Sequence, residues 1–244
     1  MFPLHFAPRA FDRLDVLCIG AHCDDIEIGC GGTLLALQRQ YPRLRIHWLV
    51  LTSDPARRRE ALRSSEDLIS SRARGQVLVH DLPDGRLPAH FEQVKSRIAE
   101  ASAAVNPDWV LSHHGADRHQ DHALVSAITW QIFRDHLIWE YEIPKYDADL
   151  GNPNAYVPLP AGVAQHKAAS IMNVFATQRD KPWFKAENLL ALMRLRGLEC
   201  RAESGFAEGF HCRKLVFSPF VPDPGPETGE GAPAIVPSTP QARA

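Results

Sequence analysis

The sequence lacks any apolar run of the roughly 20 residues that a membrane-spanning helix needs. Its start, MFPLHFAPRAFDRLDVLCIG, lacks a basic segment followed by an apolar stretch and a small-residue cleavage site. The expectation is a cytoplasmic protein without stable membrane insertion. A charge excess is missing too: the formal net charge is -2, so no global field draws the chain toward nucleic acid or an acidic lipid surface. The cysteines Cys18, Cys23, Cys30, Cys200 and Cys212 are odd in number and contain no C-x-x-C pair. That excludes a zinc ribbon and a thioredoxin-like site, and it favours reduced thiols over a disulfide framework. There is no internal repeat.

What is present is ordinary globular chemistry, with 45% hydrophobic and 23% charged residues. A chain of 244 residues suffices for one sizeable α/β core. Short apolar runs at 15–21 (DVLCIGA), 45–52 (RIHWLVLT), 76–82 (QVLVHDL) and 109–112 read as buried strands. Helical patterns at 31–39, 55–72, 89–104 and 121–135 alternate with them. This alternation predicts βαβ units and a Rossmann-like three-layer α/β sandwich with a mostly parallel sheet. From 137 to 217 the pattern is less regular: a strand-like IWEYEIP, a loop with Pro153, Pro158 and Pro160, helices near 163–177 and 184–198, and a closing strand within 208–217. We read this region as completing the same domain, residues 1–218. The segment 219–244 carries seven prolines and three glycines in 26 residues. Such a composition predicts a disordered tail.

In doubly wound sheets, ligands bind beyond the carboxyl ends of the strands. Two of those ends are rich in imidazole and carboxylate. After the first strand comes Ala21-His22-Cys23-Asp24-Asp25-Ile26-Glu27. After the fourth comes His113-His114-Gly115-Ala116-Asp117-Arg118-His119-Gln120-Asp121-His122. A catalytic zinc takes three protein ligands and leaves one position open for water. His22, Asp25, His119 and His122 compete for those three places, and Asp24 and Asp121 remain as base and orienter. Taken singly, each residue has a plainer reading. His47 and His80 lie on strands as packed side chains, His113 and His114 could simply end the fourth strand, and Asp25 or Asp121 could cap a helix. The plain readings do not account for both clusters falling on one edge of the sheet. Gly29, Gly31 and Gly32 invite a phosphate-binding reading, but the spacing is not G-x-G-x-x-G and no Lys-Ser/Thr follows. A tight turn bringing the helix against the first strand is the expectation there.

The run His22-Cys23-Asp24-Asp25-Ile26-Glu27-Ile28-Gly29-Cys30-Gly31-Gly32 resembles the (A)HPDD-x-E-x-G-x-GG signature of the PIG-L/LmbE-like deacetylases. His119-Gln120-Asp121-His122 resembles that family's H-x-D-H motif. Arg57-Arg58-Arg59-Glu60-Ala61 and Leu82-Pro83-Asp84-Gly85 are similar to its R-x-x-E-A helix start and its short Asp-bearing loop. The resemblance runs in order over residues 13–217. It implies a Zn2+-dependent hydrolase, with another divalent metal as the alternative, that removes an N-acetyl group from a small N-acetylated sugar or glycoconjugate of the N-acetylglucosamine type. It further implies His22, Asp25 and His122 as metal ligands and Asp24 as general base. His119 would stabilise or protonate the tetrahedral intermediate with Asp121 orienting it. Arg57 and Asp84 would touch the sugar, with Arg58 the adjacent alternative to Arg57. The signature's Pro is Cys23 here, read as a tolerated substitution, with a metal-ligating or redox-sensitive thiol as the sharper reading. Two rivals stand beside this function: a nucleotide-binding Rossmann-type enzyme, and a non-catalytic zinc- or sugar-binding module.

Overall fold

A computed structural model describes residues 13–216, of which residues 13–214 fall within one compact unit. The Pro-rich segment 219–244 lies outside the described residues. Five strands run parallel: β1 (Leu14–Gly20), β2 (Leu44–Thr52), β3 (Arg74–Leu82), β4 (Trp109–His113) and β5 (Leu137–Tyr141). Two short strands, β6 (Ala155–Pro158) and β7 (Ala207–His211), extend the sheet in the order β3-β2-β1-β4-β5-β7-β6. β7 is antiparallel to both of its neighbours. The helices are α1 (Asp25–Gln40), α2 (Pro55–Leu68), α3 (Phe91–Val105), α4 (Gln120–Ile132), α5 (Ala161–Val174) and α6 (Ala186–Cys200).

Side chains alternate across each central strand, which divides the core into two slabs. Val16, Cys18, Ile46, Trp48, Val50 and Leu111 face one way, against residues of α1, α2, α5 and α6. Leu17, Ile19, Leu49, Leu51 and Val110 face the other way, against α3 and α4. Strands buried on both faces read as continuous apolar runs, which is why β1 and β2 were plain in the sequence. The fold is therefore the three-layer α/β arrangement with a mostly parallel sheet that the pattern predicted.

Two expectations need correction. The first helix begins at Asp25 and not near Gly31, so Gly29, Gly31 and Gly32 form no turn and no phosphate loop. They let other groups reach the helix axis. The Tyr141 ring occupies the space where a Cβ on Gly29 would sit. A Cβ on Gly32 would come within 2.9 Å of Glu208 Oε1. Through that gap the Glu208 carboxylate accepts the N–H groups of Gly32 (2.8 Å) and Thr33 (2.7 Å), and Lys167 Nζ donates to Ile28 O (2.6 Å) and to Glu208 (2.6 Å). A buried ion pair thus ties α1 to α5 and β7. The second correction is β6, which lies within the stretch read as a proline loop. Pro158 ends this edge strand, a place where a missing N–H costs no ladder bond.

Candidate metal centre

β1 ends at Gly20 and the chain turns at once into α1, so His22, Asp24 and Asp25 cluster at the strand's carboxyl end. β4 ends at His113, and the loop to α4 delivers Asp117, His119, Asp121 and His122 to the same edge, since β1 and β4 pair directly. Around one point the structure gathers His22 Nδ1, the Asp25 carboxylate and His122 Nε2. The separations are 3.1 Å from His22 to His122, 3.3 Å from His22 to Asp25 and 3.5 Å from His122 to Asp25. Bonds of about 2.0–2.2 Å to a tetrahedral ion would set ligand atoms about 3.3–3.6 Å apart. The donor set therefore fits a divalent ion. All three residues are buried. Three overlapping triads, His22–His119–His122, Asp25–His113–His122 and His22–Asp84–Asp121, also keep their donor atoms within 4.8 Å of one another.

Each imidazole has a carboxylate behind it, the usual support of a metal-binding histidine. His122 Nδ1 lies 2.9 Å from Asp117 Oδ2. His22 Nε2 lies 3.3 Å from Asp121 Oδ2 and 3.1 Å from Asp84 Oδ1. Asp121 also accepts the N–H groups of Gly85 (2.8 Å) and Leu87 (3.0 Å), fixing the loop after β3 against the site. Burial disfavours the Asp25 carboxylate, yet the fields of His122, His113 and His22 outweigh it and hold Asp25 well below the usual range. For Asp117 burial is likewise overcome, by the bond to His122 and the fields of His122 and His113.

Asp24 differs from its neighbour. It is the N-cap residue of α1 without a side-chain capping bond. Burial raises its pKa, Arg57 opposes that rise, and the Asp25 charge adds to it. Arg57 donates to Asp24 Oδ1 (3.0 Å) and to Asp84 Oδ2 (2.7 Å). Its own place is set by Asp54, which caps α2 by accepting the N–H groups of Ala56 and Arg57. Arg58, the alternative, turns away to the Val79 carbonyl. Arg57 is mostly buried, whereas the Asp84 side chain is 54% exposed. Of the two residues expected at the sugar, Arg57 is held against Asp24 and Asp84 is exposed to solvent.

His119 departs from its expected surroundings. Asp121 was expected to orient it, but the Asp121 carboxylate faces His22. His119 is instead the N-cap of α4, its Nδ1 accepting the Asp121 N–H at 3.3 Å. That bond places the ring proton on Nε2. Burial and the fields of His122 and His22 lower its pKa, which favours the neutral ring. No Asp121 carboxylate oxygen backs the His119 ring; that group is engaged with His22.

Cys23 points away from the donor atoms. Its Sγ donates to Thr52 O at 3.3 Å, and burial pushes the thiol pKa up. With its Sγ engaged by the Thr52 carbonyl and its thiolate disfavoured by burial, Cys23 fits the tolerated substitution better than a ligand or a redox-sensitive thiol. His113 was read as a strand end, which it is, but it also accepts the Ala21 N–H (2.9 Å), lies 3.1 Å from Asp25 Oδ2 and stacks on His122. Burial lowers its pKa to about 4. Asp117, in the second cluster, carries no sequence signal for its contact with His122: no helix spacing links the two, because Asp117 sits in the loop before the cap. Several aromatic and basic residues that follow β5 pack within the fold. Phe184 and Phe210 are core, Arg196 pairs with Glu142 (2.7 Å), Arg194 lies over Phe206 and Arg213 over Trp130.

A Rossmann-like sheet bearing a His/Asp donor set at its carboxyl edge defines a class of α/β proteins with a candidate metal site. Residues 17–133, the segment that holds both motifs, match the model of the PIG-L family, described as GlcNAc-PI de-N-acetylase. Among solved structures, the conserved protein TT1542 from Thermus thermophilus superposes with a TM-score of 0.67 at 22% identity, over 85% of this chain and 99% of that one. The hydratase GalB from Pseudomonas putida gives 0.64 at 18% identity, over 85% and 99%. N,N'-diacetylchitobiose deacetylase from Pyrococcus horikoshii gives 0.64 at 20% identity, over 82% and 84%. At these identities the likeness is one of fold, and the fold carries a hydratase as well as a deacetylase.

Proposed function

We propose that this protein is a zinc-dependent N-deacylase that removes an acetyl group from an amino sugar or sugar conjugate of the N-acetylglucosamine type. The observation that carries the reading is the convergence of His22 Nδ1, the Asp25 carboxylate and His122 Nε2 within 3.1–3.5 Å, beside a carboxylate that belongs to no ligand pair, Asp24. A sugar-binding or purely structural zinc site has no use for that last group. The nucleotide reading loses its basis because the glycines lie inside α1. Support for deacylation comes from the family model and from the deacetylases that share the fold.

In this reading His22, Asp25 and His122 hold the ion. When bound, it supplies Lewis acidity toward the amide carbonyl and lowers the pKa of water toward neutrality. The chain's own residues do the rest. Asp24, whose carboxylate form the Arg57 charge favours, takes a proton from the attacking water. Neutral His119 donates its Nε2–H to the oxygen on which charge develops, a hydrogen bond aimed at the transition state. The proton held on Asp24 then passes to the departing nitrogen, so acetate and a free amine leave. Asp117 and Asp121 hold the imidazoles of His122 and His22 in place, and the exposed Asp84 meets the sugar hydroxyls.

The test is a set of N-acetylated amino sugars and their conjugates incubated with the purified full chain and zinc, with released acetate and new amine quantified. Stoichiometric acetate and amine, abolished by chelation, is the expected outcome. No acetate from any amide, together with hydration of unsaturated hydroxy acids, would replace this reading with a hydratase one.

A further inference from the structure

The loop between β5 and β6 reaches back to the donor set, although Lys145 and Asp149 both lie beyond the residues that match the family model. Lys145 Nζ lies 3.0 Å from Asp117 Oδ1 and 2.5 Å from Asp149 Oδ2. Asp149 Oδ2 also accepts the N–H of Arg118 at 2.7 Å. The three side chains are almost fully withdrawn from water, at 9%, 4% and 6% exposure for Lys145, Asp117 and Asp149. Asp117 is thereby saturated: Oδ2 faces His122 Nδ1, and Oδ1 takes the His119 N–H (2.8 Å) and the Lys145 ammonium. Between Lys145 and Asp149 the chain holds Ala148 at φ 53°, a left-handed conformation rare for alanine. Such a conformation persists where surrounding bonds over-determine it, and functional sites are where it clusters.

A surface ion pair has no need of this arrangement. Two buried carboxylates share one ammonium, and the acceptor that locks the His122 ring is one of them. We propose that Lys145 and Asp149 are positioning residues for the metal ligand His122, acting through Asp117. The inference rests on the reading of His122 as a ligand and adds a reason for the irregular segment after β5: it supplies the outer support of the metal centre. Loss of the ammonium leaves Asp117 and Asp149 as adjacent buried charges that repel. Asp117 then leaves its place against His122 Nδ1, and the ring loses its fixed direction.

Simple electrostatics predicts the opposite sign. Removing a positive charge near a cation site tightens cation binding, whereas losing the ring's support weakens it. The experiment is zinc affinity, measured by competition with a chromogenic chelator, for the full chain and for Lys145→Met, Asp117→Asn and the double variant. Support groups of this kind typically contribute about 10–100-fold to metal affinity. We expect Lys145→Met to weaken zinc by about tenfold or more in the wild-type background and to have no further effect in the Asp117→Asn background. An unchanged or tightened affinity, or an equal loss in both backgrounds, overturns the proposal. A merely structural Lys145 would lower the melting temperature of both backgrounds and leave zinc affinity in place. Should Lys145→Met not fold, Lys145→Gln, which keeps a donor and removes the charge, answers the same question. Wild-type protein that binds no zinc at all would refute the ligand reading itself, a result distinct from wild-type binding that Lys145→Met leaves unaltered.

Discussion

Replacing Asp24 by Asn, and separately Asp25 by Asn, divides two adjacent carboxylates with very different surroundings. Asp25 lies 3.1–3.5 Å from His113, His22 and His122 and accepts the His22 N–H at 2.6 Å. Asp24 touches none of the donor atoms and takes one bond from Arg57, at 3.0 Å. An asparagine at position 24 keeps that bond, because its carbonyl oxygen still accepts, and leaves the His22, Asp25 and His122 separations untouched. Only the proton acceptor is lost. General-base catalysis contributes about 10²–10⁴-fold, which at about 1.36 kcal/mol per factor of ten is roughly 3–5 kcal/mol of barrier. The interaction acts in the transition state, so kcat and kcat/KM should fall together while KM moves little. Asparagine at 25 removes a ligand charge, so zinc should bind at least about 10–100-fold more weakly and activity should partly return in excess metal. Metal content and single-turnover rates of both variants check this. If Asp24→Asn loses zinc while Asp25→Asn retains it, the two roles are exchanged and the reasoning fails.

Further outcomes follow from the same contacts. Arg57 is the cation that opposes the upward pull of burial on Asp24; without it, as in Arg57→Met, the Asp24 pKa rises further, and because only the carboxylate accepts a proton, the acidic limb of the kcat/KM profile should move to higher pH. A limb that stays in place or moves to lower pH would count against Asp24 as the base. His119→Ala should lower kcat by about 10²–10³-fold, the usual contribution of one oxyanion donor, with zinc content unchanged on metal analysis. Gly29→Ala drives a methyl group into the Tyr141 ring, and overpacking of this kind typically costs about 1–3 kcal/mol, readable as a lower denaturation midpoint. Lys167→Met leaves Glu208 charged and buried, so a loss of about 3–5 kcal/mol is expected in the same assay.

Much of this was legible because the strongest signals were local. β1 and β2 are apolar runs long enough to be buried on both faces, and the two His/Asp clusters directly follow β1 and β4 in the chain. The parallel pairing of those strands then brings the clusters together without further information. The start of α1 was not legible, since three glycines in close succession argue against a helix on propensity alone. Tertiary packing reverses that argument: Tyr141 and Glu208 need the missing Cβ atoms, and neither is near Gly29 or Gly32 in sequence. The partner of Asp121 was hidden for a related reason. Position 121 adjoins His119 in the chain, but the start of α4 turns its carboxylate toward His22, 99 residues away. Lys145 and Asp149 carry no motif, and only the path of the loop after β5 brings them to Asp117.

The central claim is that one divalent ion, held by His22, Asp25 and His122, is required for amide hydrolysis. It is tested most directly by titrating chelator-stripped full-length protein with zinc while following acetate release from an N-acetylglucosamine conjugate that the wild-type protein hydrolyses. The account predicts a rate that rises with bound zinc and breaks at one equivalent, and a His122→Ala protein that neither retains the ion nor releases acetate. Full activity in the stripped protein, or full zinc content in His122→Ala, would contradict it.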